Sequence, residues 1–180
     1  MQVIETPWGP SQHVNPLAQG ITLISTAGHG GIMLSPERWE LVRSVFPDFK
    51  PWAGHGWLEE DTDYAIAVVL WPGLFKAHTV WQTVEQGLRA QPNEWSNTMM
   101  CIRSWLETKP AGRELARKAR EWAALNGDKW LAGSMSTGGG KGWSVEWLRV
   151  GSNERRVVVM PDYPDSIMST EELDALVVPA

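Results

Sequence analysis

Residues 21–37 read ITLISTAGHGGIMLSPE, and this stretch decides how the first part of the chain folds. Ile21 to Ser25 is short and rich in β-branched residues, which predicts a strand. The glycine-rich break at Gly28-His29-Gly30-Gly31 predicts a turn, and Ile32 to Leu34 then supplies the second arm of a hairpin. Ser35-Pro36-Glu37 places a capping hydroxyl, a proline and an acid at the start of a helix. We therefore expect a hairpin followed directly by a helix.

The centre of the chain has the apolar spacing of amphipathic helices. The spacing predicts helices over Lys76 to Ala90, over Glu94 to Glu107, and from Pro110 to the Asn126-Gly127 break. Tyr64 to Trp71 is a shorter apolar run that suits either a helix or a buried strand. The acids before this run favour the helix, because carboxylates stabilise the positive end of a helix dipole.

The C-terminal part of the sequence contains a second hairpin signal. Trp143 to Val150 and Arg155 to Met160 flank the turn-forming residues 151–154. Before them, residues 133–142 form a Ser/Gly-rich stretch that predicts a flexible loop. After them, Ser169 and Glu172 have the spacing of a capping box at the start of a short helix.

Together these patterns predict an α+β fold with short N-terminal strands or a hairpin, a helical middle and a C-terminal β-hairpin. The chain has 180 residues, of which 43% are hydrophobic and 21% charged, a composition typical of a globular protein. No linker long enough to divide the sequence is visible. We expect a single domain over residues 1–180.

The composition also limits the classes of function. With a single cysteine, Cys101, no internal disulfide can form, and neither a signal peptide nor a long apolar run is visible, so we expect a cytoplasmic protein with no membrane contact. The net charge of −5 argues against nucleic acid and favours a partner with a basic surface. The alternative of nucleic-acid binding would rest on the basic residues Arg113, Arg117, Lys118 and Arg120. The 12 tryptophans indicate either a Trp-stiffened core or a recognition surface.

Two polar segments are candidate sites. His29 is flanked by glycines, which leave room for a ligand, although a tight turn would need the same residues. The acidic segment Glu59-Glu60-Asp61-Thr62-Asp63 could bind a hard cation, or could simply begin a helix. His55 and His78 could add further ligands for zinc or iron, although the spacings match no standard motif. The glycines at 138–142 lack the Ser or Thr of a phosphate loop, and no cofactor is expected.

Three motifs link the sequence to a known group of proteins. They are the segments Thr6-Pro7-Trp8-Gly9, Ser25-Thr26-Ala27-Gly28-His29-Gly30-Gly31 and Glu59-Glu60-Asp61-x-Asp63-Tyr64-Ala65. In these motifs the chain resembles a family of uncharacterised domains that occurs in bacteria and on plasmids, phages and other mobile elements. The similarity is strongest over residues 6–75. Leu58 and Thr62 depart from the family pattern, but neither change removes a potential ligand.

The resemblance implies no established activity, so two functional hypotheses stay open. The first is a small acidic phage- or plasmid-type protein that acts by protein–protein binding and inhibits a host defence effector, in the manner of anti-CRISPR or anti-restriction proteins. Its expected binding residues are Trp57, His55, Gly30 and Gly31. The second is a small metal-assisted hydrolase, whose candidate catalytic residues are His29, Glu59, Glu60, Asp61 and Asp63.

The sequence favours the non-enzymatic hypothesis and leaves metal binding and oligomeric state open. The two hypotheses differ in whether His29 and the acidic segment must share one pocket. We expect them to lie near one another, because a hairpin end and a helix start can meet at one rim of a core.

Overall fold

The computed structural model describes residues 3–92, 97–137, 143–160 and 167–176. Strands come first, helices occupy the middle, and a second sheet with one short helix follows, which confirms the predicted mixed α+β fold class. Contacts between residues group the chain into two compact units, residues 1–117 and 118–180. Cooperative folding of residues 1–180 as one domain stays a prediction.

The first unit begins with a small ribbon and a four-stranded antiparallel sheet. The ribbon consists of β1, Glu5–Thr6, and β2, Gly9–Pro10. The sheet has the order β3-β4-β5-β6, and its strands are His13–Ala18, Ile21–Ser25, Gly30–Leu34 and Trp57–Glu59. Strands β4 and β5 are the hairpin that the sequence predicts, although β5 already begins at Gly30. The outer strands β3 and β6 were not predicted.

Helices cover one part of this sheet and pack against each other. The first is α1, Pro36–Val45, and the Ser35 hydroxyl accepts a hydrogen bond from the Arg38 amide at 3.4 Å, as a cap should. Next comes α2, Tyr64–Leu70, which settles the helix-or-strand ambiguity in favour of a helix. A single 3₁₀ turn at Pro72–Leu74 leads into α3, Ala77–Arg89.

The remaining helices are α4, Asn97–Thr108, and α5, Pro110–Leu125. The helix predicted from Glu94 to Glu107 corresponds to α4, and residues 94–96 of that prediction lie outside the described residues. Five consecutive residues of α2, Ala65 to Val69, are buried, and α2 contacts both α3 and α4. This short apolar helix is therefore at the centre of the first core. None of the described helices combines the length and the apolar character needed to cross a membrane.

The second unit contains another four-stranded antiparallel sheet, of order β10-β7-β8-β9. Its strands, β7 to β10 along the chain, are Lys129–Thr137, Trp143–Arg149, Arg155–Met160 and Ile167–Ser169. The predicted hairpin is β8 and β9. The sequence predicts a flexible loop at 133–142, but β7 extends to Thr137, and residues 135–137 pair with β8 in spite of their loop-like composition. Residues 138–142 lie outside the described residues.

Tryptophan organises the core of this second unit. Trp130 and Trp147 are fully buried with Val145, Val158 and Leu173. The Trp130 indole N–H donates to the Thr170 hydroxyl at 2.9 Å, at the start of the last helix, α6, Thr170–Leu176. The predicted capping box is confirmed, since the Ser169 amide donates to the Glu172 carboxylate at 2.7 Å and the Glu172 amide donates to the Ser169 hydroxyl at 3.2 Å.

Gly31 offers a test of the packing in the first sheet. A Cβ at this position would collide with the Leu58 carbonyl oxygen and the Trp8 ring. We expect Gly31→Ala to lower the free energy of unfolding by about 1–3 kcal/mol, because an overpacked site forces its neighbours to move. Gly28→Ala is the matched control, since a Cβ there would meet nothing within 4 Å. Urea denaturation measures both, and equal effects of the two substitutions would contradict the packing argument.

Candidate functional site

An open cleft of about 360 Å³ lies beside the end of β6 in the first unit. The turn before β5, the residues that follow β6, and the loop before β6 all contribute to it. Its lining residues are Trp8, His29, Trp52, Ala53, Glu59, Asp61 and Thr62. The cleft therefore combines aromatic walls with the histidine and the carboxylates that the sequence marks as candidates.

His29 is held at this cleft by a hydrogen-bonded turn. The Thr26 hydroxyl donates to the His29 carbonyl at 2.8 Å and accepts from the His29 amide at 3.2 Å. The His29 side chain is 59% exposed, and its Nδ1 atom lies 3.8 Å from Oε1 of Glu60. This separation suits an ion pair but is too long for a hydrogen bond. The prediction that the glycine-flanked histidine and the acidic segment lie close together is confirmed.

Glu59 and Asp61 complete a group of three potential metal ligands with His29. One ligand atom from each of these residues lies within 4.8 Å of the other two. Oε2 of Glu59 accepts hydrogen bonds from the Asp61 amide at 2.9 Å and from the Thr62 amide at 3.2 Å. Partial burial nevertheless raises the pKa of Glu59, because it disfavours the charged carboxylate. A search of the described residues for His, Cys, Asp and Glu side chains close enough to share an ion finds this group. His55 and His78, which the sequence offered as further ligands, do not belong to it.

Two tryptophans form the walls of the cleft. Trp8 follows the β1 strand, where the Thr6 hydroxyl accepts from the Trp8 amide at 3.1 Å and donates to the Gly9 carbonyl at 2.7 Å. The Trp8 ring meets the Trp57 ring edge-on, with centroids 5.6 Å apart. Trp52, on the loop before β6, is 65% exposed. A large apolar ring so open to water is available to contact a ligand.

Asp63, unlike the other candidate acids, lies in the core. It is completely buried, and its carboxylate accepts hydrogen bonds from the Trp52 amide and from the Thr98 hydroxyl, both at 2.7 Å. The side chain makes no capping bond to α2, although the sequence favoured the acids as a helix start. Burial raises the pKa of Asp63, while its hydrogen bonds act in the opposite direction. Asp63 thus connects the Trp52 loop to α2 and α4.

The four residues expected to bind a partner are not among the described lining residues of the cleft. Trp57 packs on Trp8, and the His55 ring lies 5.0 Å from the Trp39 ring. Gly30 and Gly31 belong to β5, where they pair with Ser25 and Ile24. Their binding role stays a prediction.

Sequence reasoning assigned no role to the other lining residues, Trp8, Trp52, Ala53 and Thr62. The available signal was a tryptophan inside a Gly/Pro-rich segment, in Thr6-Pro7-Trp8-Gly9 and again at Pro51-Trp52. Such segments run over protein surfaces, so their tryptophans tend to be accessible. The exposure of Trp52 follows this rule, whereas Trp8 is half-buried.

Fold and cleft together define a class: an α+β protein with a small open cleft that combines a histidine, two carboxylates and two tryptophans. No curated protein and no solved structure matches the chain. The chain belongs to the DUF7007 family, described as a domain of unknown function, whose family model matches residues 1–124. The matched segment includes every lining residue of the cleft and extends past the motifs at 6–75, while β7 to β10 lie outside it.

The buried Asp63 carboxylate generates a prediction about stability. Asp63→Ala removes the carboxylate that accepts from the Trp52 amide and the Thr98 hydroxyl, so we expect the free energy of unfolding to fall by about 2–4 kcal/mol. Asp63→Asn is the matched control, because its amide oxygen can accept from Trp52 while its amide N–H donates to the Thr98 hydroxyl. The asparagine variant should lose less than about 1 kcal/mol. Equal losses in urea denaturation would show that these hydrogen bonds contribute little.

A comparison of the wild type with Asp63→Asn also predicts how the free energy of unfolding depends on pH. The pKa of Asp63 is raised above its ordinary value of 3.8, so the folded state holds this proton more tightly than the unfolded chain does. The contribution of Asp63 to the free energy of unfolding is therefore fully present at low pH, and it is lost as the pH rises from 3.8 through the raised pKa. The stability of the wild type minus that of Asp63→Asn should therefore decrease as the pH rises through this window. A difference that increases with pH would contradict the direction of the shift.

Proposed function

We propose that the protein binds one divalent metal ion through His29, Glu59 and Asp61 and uses it in the hydrolysis of a substrate held in the cleft. The observation that carries this proposal is the separation of at most 4.8 Å between one ligand atom from each residue. Imidazole and carboxylate together suit zinc, manganese or iron rather than a soft, thiolate-binding ion.

The geometry supports such a site after a small adjustment. Two ligands on one ion can be at most about 4.2 Å apart when each bond is about 2.1 Å long, so a bound ion would draw the side chains slightly inward. The exposed side chains of His29 and Asp61 can move in this way. Glu59 is already oriented by the amides of Asp61 and Thr62, as metal-binding carboxylates commonly are.

Three protein ligands suit hydrolysis because they leave coordination positions for water and substrate. When bound, the ion would supply an activated water and polarise the bond to be cleaved. The residues of this chain would do the rest. Trp8 and Trp52 give the cleft apolar walls, which favour a substrate with a flat ring or an apolar group beside the scissile bond.

Calorimetric titration of the metal-free protein with Mn²⁺ and Zn²⁺ tests the ligand set. We expect one ion per chain for the wild type, and an affinity at least about 10-fold weaker for His29→Ala and for Glu59→Gln, which each remove a ligand. His55→Ala is the control, because His55 packs on Trp39 outside the group of three. Equal affinity in His29→Ala and in His55→Ala would overturn the site.

The pH dependence of that affinity is a further part of this test. Protons compete with the ion for Glu59, and the pKa of Glu59 is raised above its ordinary value of 4.5. The affinity should thus begin to fall, on acidification, at a higher pH than an ordinary carboxylate ligand would give. Ion-dependent hydrolysis that is absent from Glu59→Gln would support the catalytic step, whereas an ion bound without hydrolysis of esters, amides or phosphoesters would contradict it.

A second candidate is the non-enzymatic binding of a basic protein partner. It is supported by the 65% exposure of Trp52, which lines the same cleft as the exposed Asp61, together with the net charge of −5. Exposed tryptophan is typical of binding hot spots, and acidic surfaces speed association with basic ones. The expected occurrence on phages and plasmids, and the inhibition of a host defence effector, belong to this candidate.

Charge reversal tests the second candidate. A partner retained by the immobilised wild type at low ionic strength should be lost with Asp61→Lys and with Trp52→Ala, and its retention should decrease as salt rises. Glu171→Lys, an equal change of charge on the exposed face of α6, is the control and should retain the partner. Retention that is independent of salt would count against electrostatic recognition.

A further inference from the structure

The carboxylate of Glu60 lies beside both Gly30 and the ring of His29. Its Oε1 atom is 3.8 Å from Nδ1 of His29, in a pair whose side chains are 46% and 59% exposed. Its Oε2 atom lies beside Gly30, since a Cβ built on that glycine would be only 2.6 Å away from it. One oxygen of this carboxylate therefore faces a candidate metal ligand, although Glu60 is not itself a member of the group of three.

The backbone holds Glu60 in this place. Strand β6 ends at Glu59, and the Glu60 amide continues the pairing with β5 by donating to the Gly30 carbonyl at 3.2 Å. Gly30 begins β5 directly after His29. Because Gly30 has no side chain, the start of β5 leaves room for the Glu60 carboxylate next to the histidine ring.

The turn before β5 fixes the backbone of His29 but leaves its ring to other contacts. The Thr26 amide donates to the His29 carbonyl at 2.8 Å, and the Thr26 hydroxyl bonds both the carbonyl and the amide of His29. A neutral imidazole carries a proton on one ring nitrogen and a lone pair on the other, and only the lone pair binds an ion. A carboxylate that accepts from one nitrogen therefore decides which nitrogen serves as the ligand.

We infer that Glu60 is a positioning residue for His29, because it accepts a hydrogen bond from Nδ1–H and leaves Nε2 as the ligand nitrogen. This inference rests on the proposed function, in which His29 binds the ion. The separation of 3.8 Å is longer than a hydrogen bond, and such contacts often shorten when a site is filled. Metal-binding histidines commonly donate their second nitrogen to a carboxylate, which fixes the ring and makes it a better ligand.

NMR of the metal-free full chain tests the orientation of the ring without any ion. Two-bond correlation of ring protons with ¹⁵N shows which nitrogen is protonated, at about pH 9, above the range in which an ordinary imidazole titrates. We expect His29 to carry its proton predominantly on Nδ1. His13, exposed on β3, is the internal reference and should carry its proton on Nε2, as a free neutral imidazole prefers.

Two substitutions of Glu60 separate the acceptor from the bulk of the side chain. Glu60→Met keeps the length of the side chain but removes the acceptor, so it should return His29 to the Nε2–H form. It should also weaken Zn²⁺ binding, measured by calorimetric titration, by about 10-fold or more. Glu60→Gln is the matched control, because its amide oxygen still accepts from Nδ1–H. The glutamine variant should keep the Nδ1–H form and bind Zn²⁺ within about threefold of the wild type, since an exposed charge contributes little.

The glycines on either side of His29 provide an independent pair of variants. Gly30→Ala displaces the Glu60 carboxylate without changing it, so it should have the same two effects as Glu60→Met. Gly28→Ala should have neither effect, since a Cβ there meets nothing within 4 Å. Urea denaturation checks that each variant is folded. If Gly30→Ala does not fold, the substitutions of the exposed Glu60 side chain decide alone.

The outcomes separate this inference from the proposed metal site. A wild-type His29 ring protonated on Nε2, or a Glu60→Met variant with an unchanged ring, would overturn the inference. Zn²⁺ binding that is equally tight in Glu60→Met and in the wild type would also overturn it, while leaving the metal site intact. If the wild type binds no ion although the ring behaves as expected, the metal site is wrong and the positioning of His29 by Glu60 stands.

Discussion

The buried carboxylate of Asp63 is the constraint on which the cleft depends. It joins the Trp52 amide, the Thr98 hydroxyl and the start of α2 in one place. Asn97 adds to the same connection, since its side chain accepts from the Lys50 amide at 2.8 Å and donates to the Asp48 carbonyl at 3.2 Å. A buried charge is costly, and the raised pKa of Asp63 expresses that cost. What the protein gains is a long loop fixed at both α2 and α4, with an exposed tryptophan at a defined position.

The parts of the fold that sequence predicts well are those set by local chemistry. The β4–β5 hairpin, the Ser35 cap and the Ser169–Glu172 capping box each need only a few adjacent residues. Strands β6 and β10 were missed because each pairs with a strand far away in the sequence. Strands β3 and β7 pair with the next strand along the chain, but Pro16 in β3 and the Ser/Gly-rich end of β7 are not typical of strands. Trp57, at the end of a Gly/Pro/Trp loop, and the two residues after it become β6 only because β5 is next to them. The loop-like composition of residues 135–137 is likewise overridden by their pairing with β8.

The sequence identified the histidine and the acids of the candidate site, but not which of the acids would lie together in the folded protein. His29 lies close to the acidic segment because the turn between β4 and β5 and the end of β6 are at the same end of the sheet. The sequence, however, shows Glu59, Glu60, Asp61 and Asp63 as one cluster, whereas the backbone sends them to three environments. Two of them line the cleft, the carboxylate of Glu60 faces the His29 ring, and Asp63 is buried. Direction and burial are properties of the folded chain, which explains why the roles of Trp8 and Trp52 were also missed.

The alternation along the three-residue strand β6 has a consequence for how the protein can change over time. Loss of one codon between those for Trp57 and Glu60 would shift the downstream acids by one position and turn them to the opposite faces of the sheet. Composition and net charge would barely alter, yet Glu60 would take the position of Glu59 and Thr62 that of Asp61, so the cleft would lose one of its two carboxylates. Point substitutions, in contrast, could adjust either acid without touching the other. The segment can thus tolerate changes of residue far more readily than changes of length.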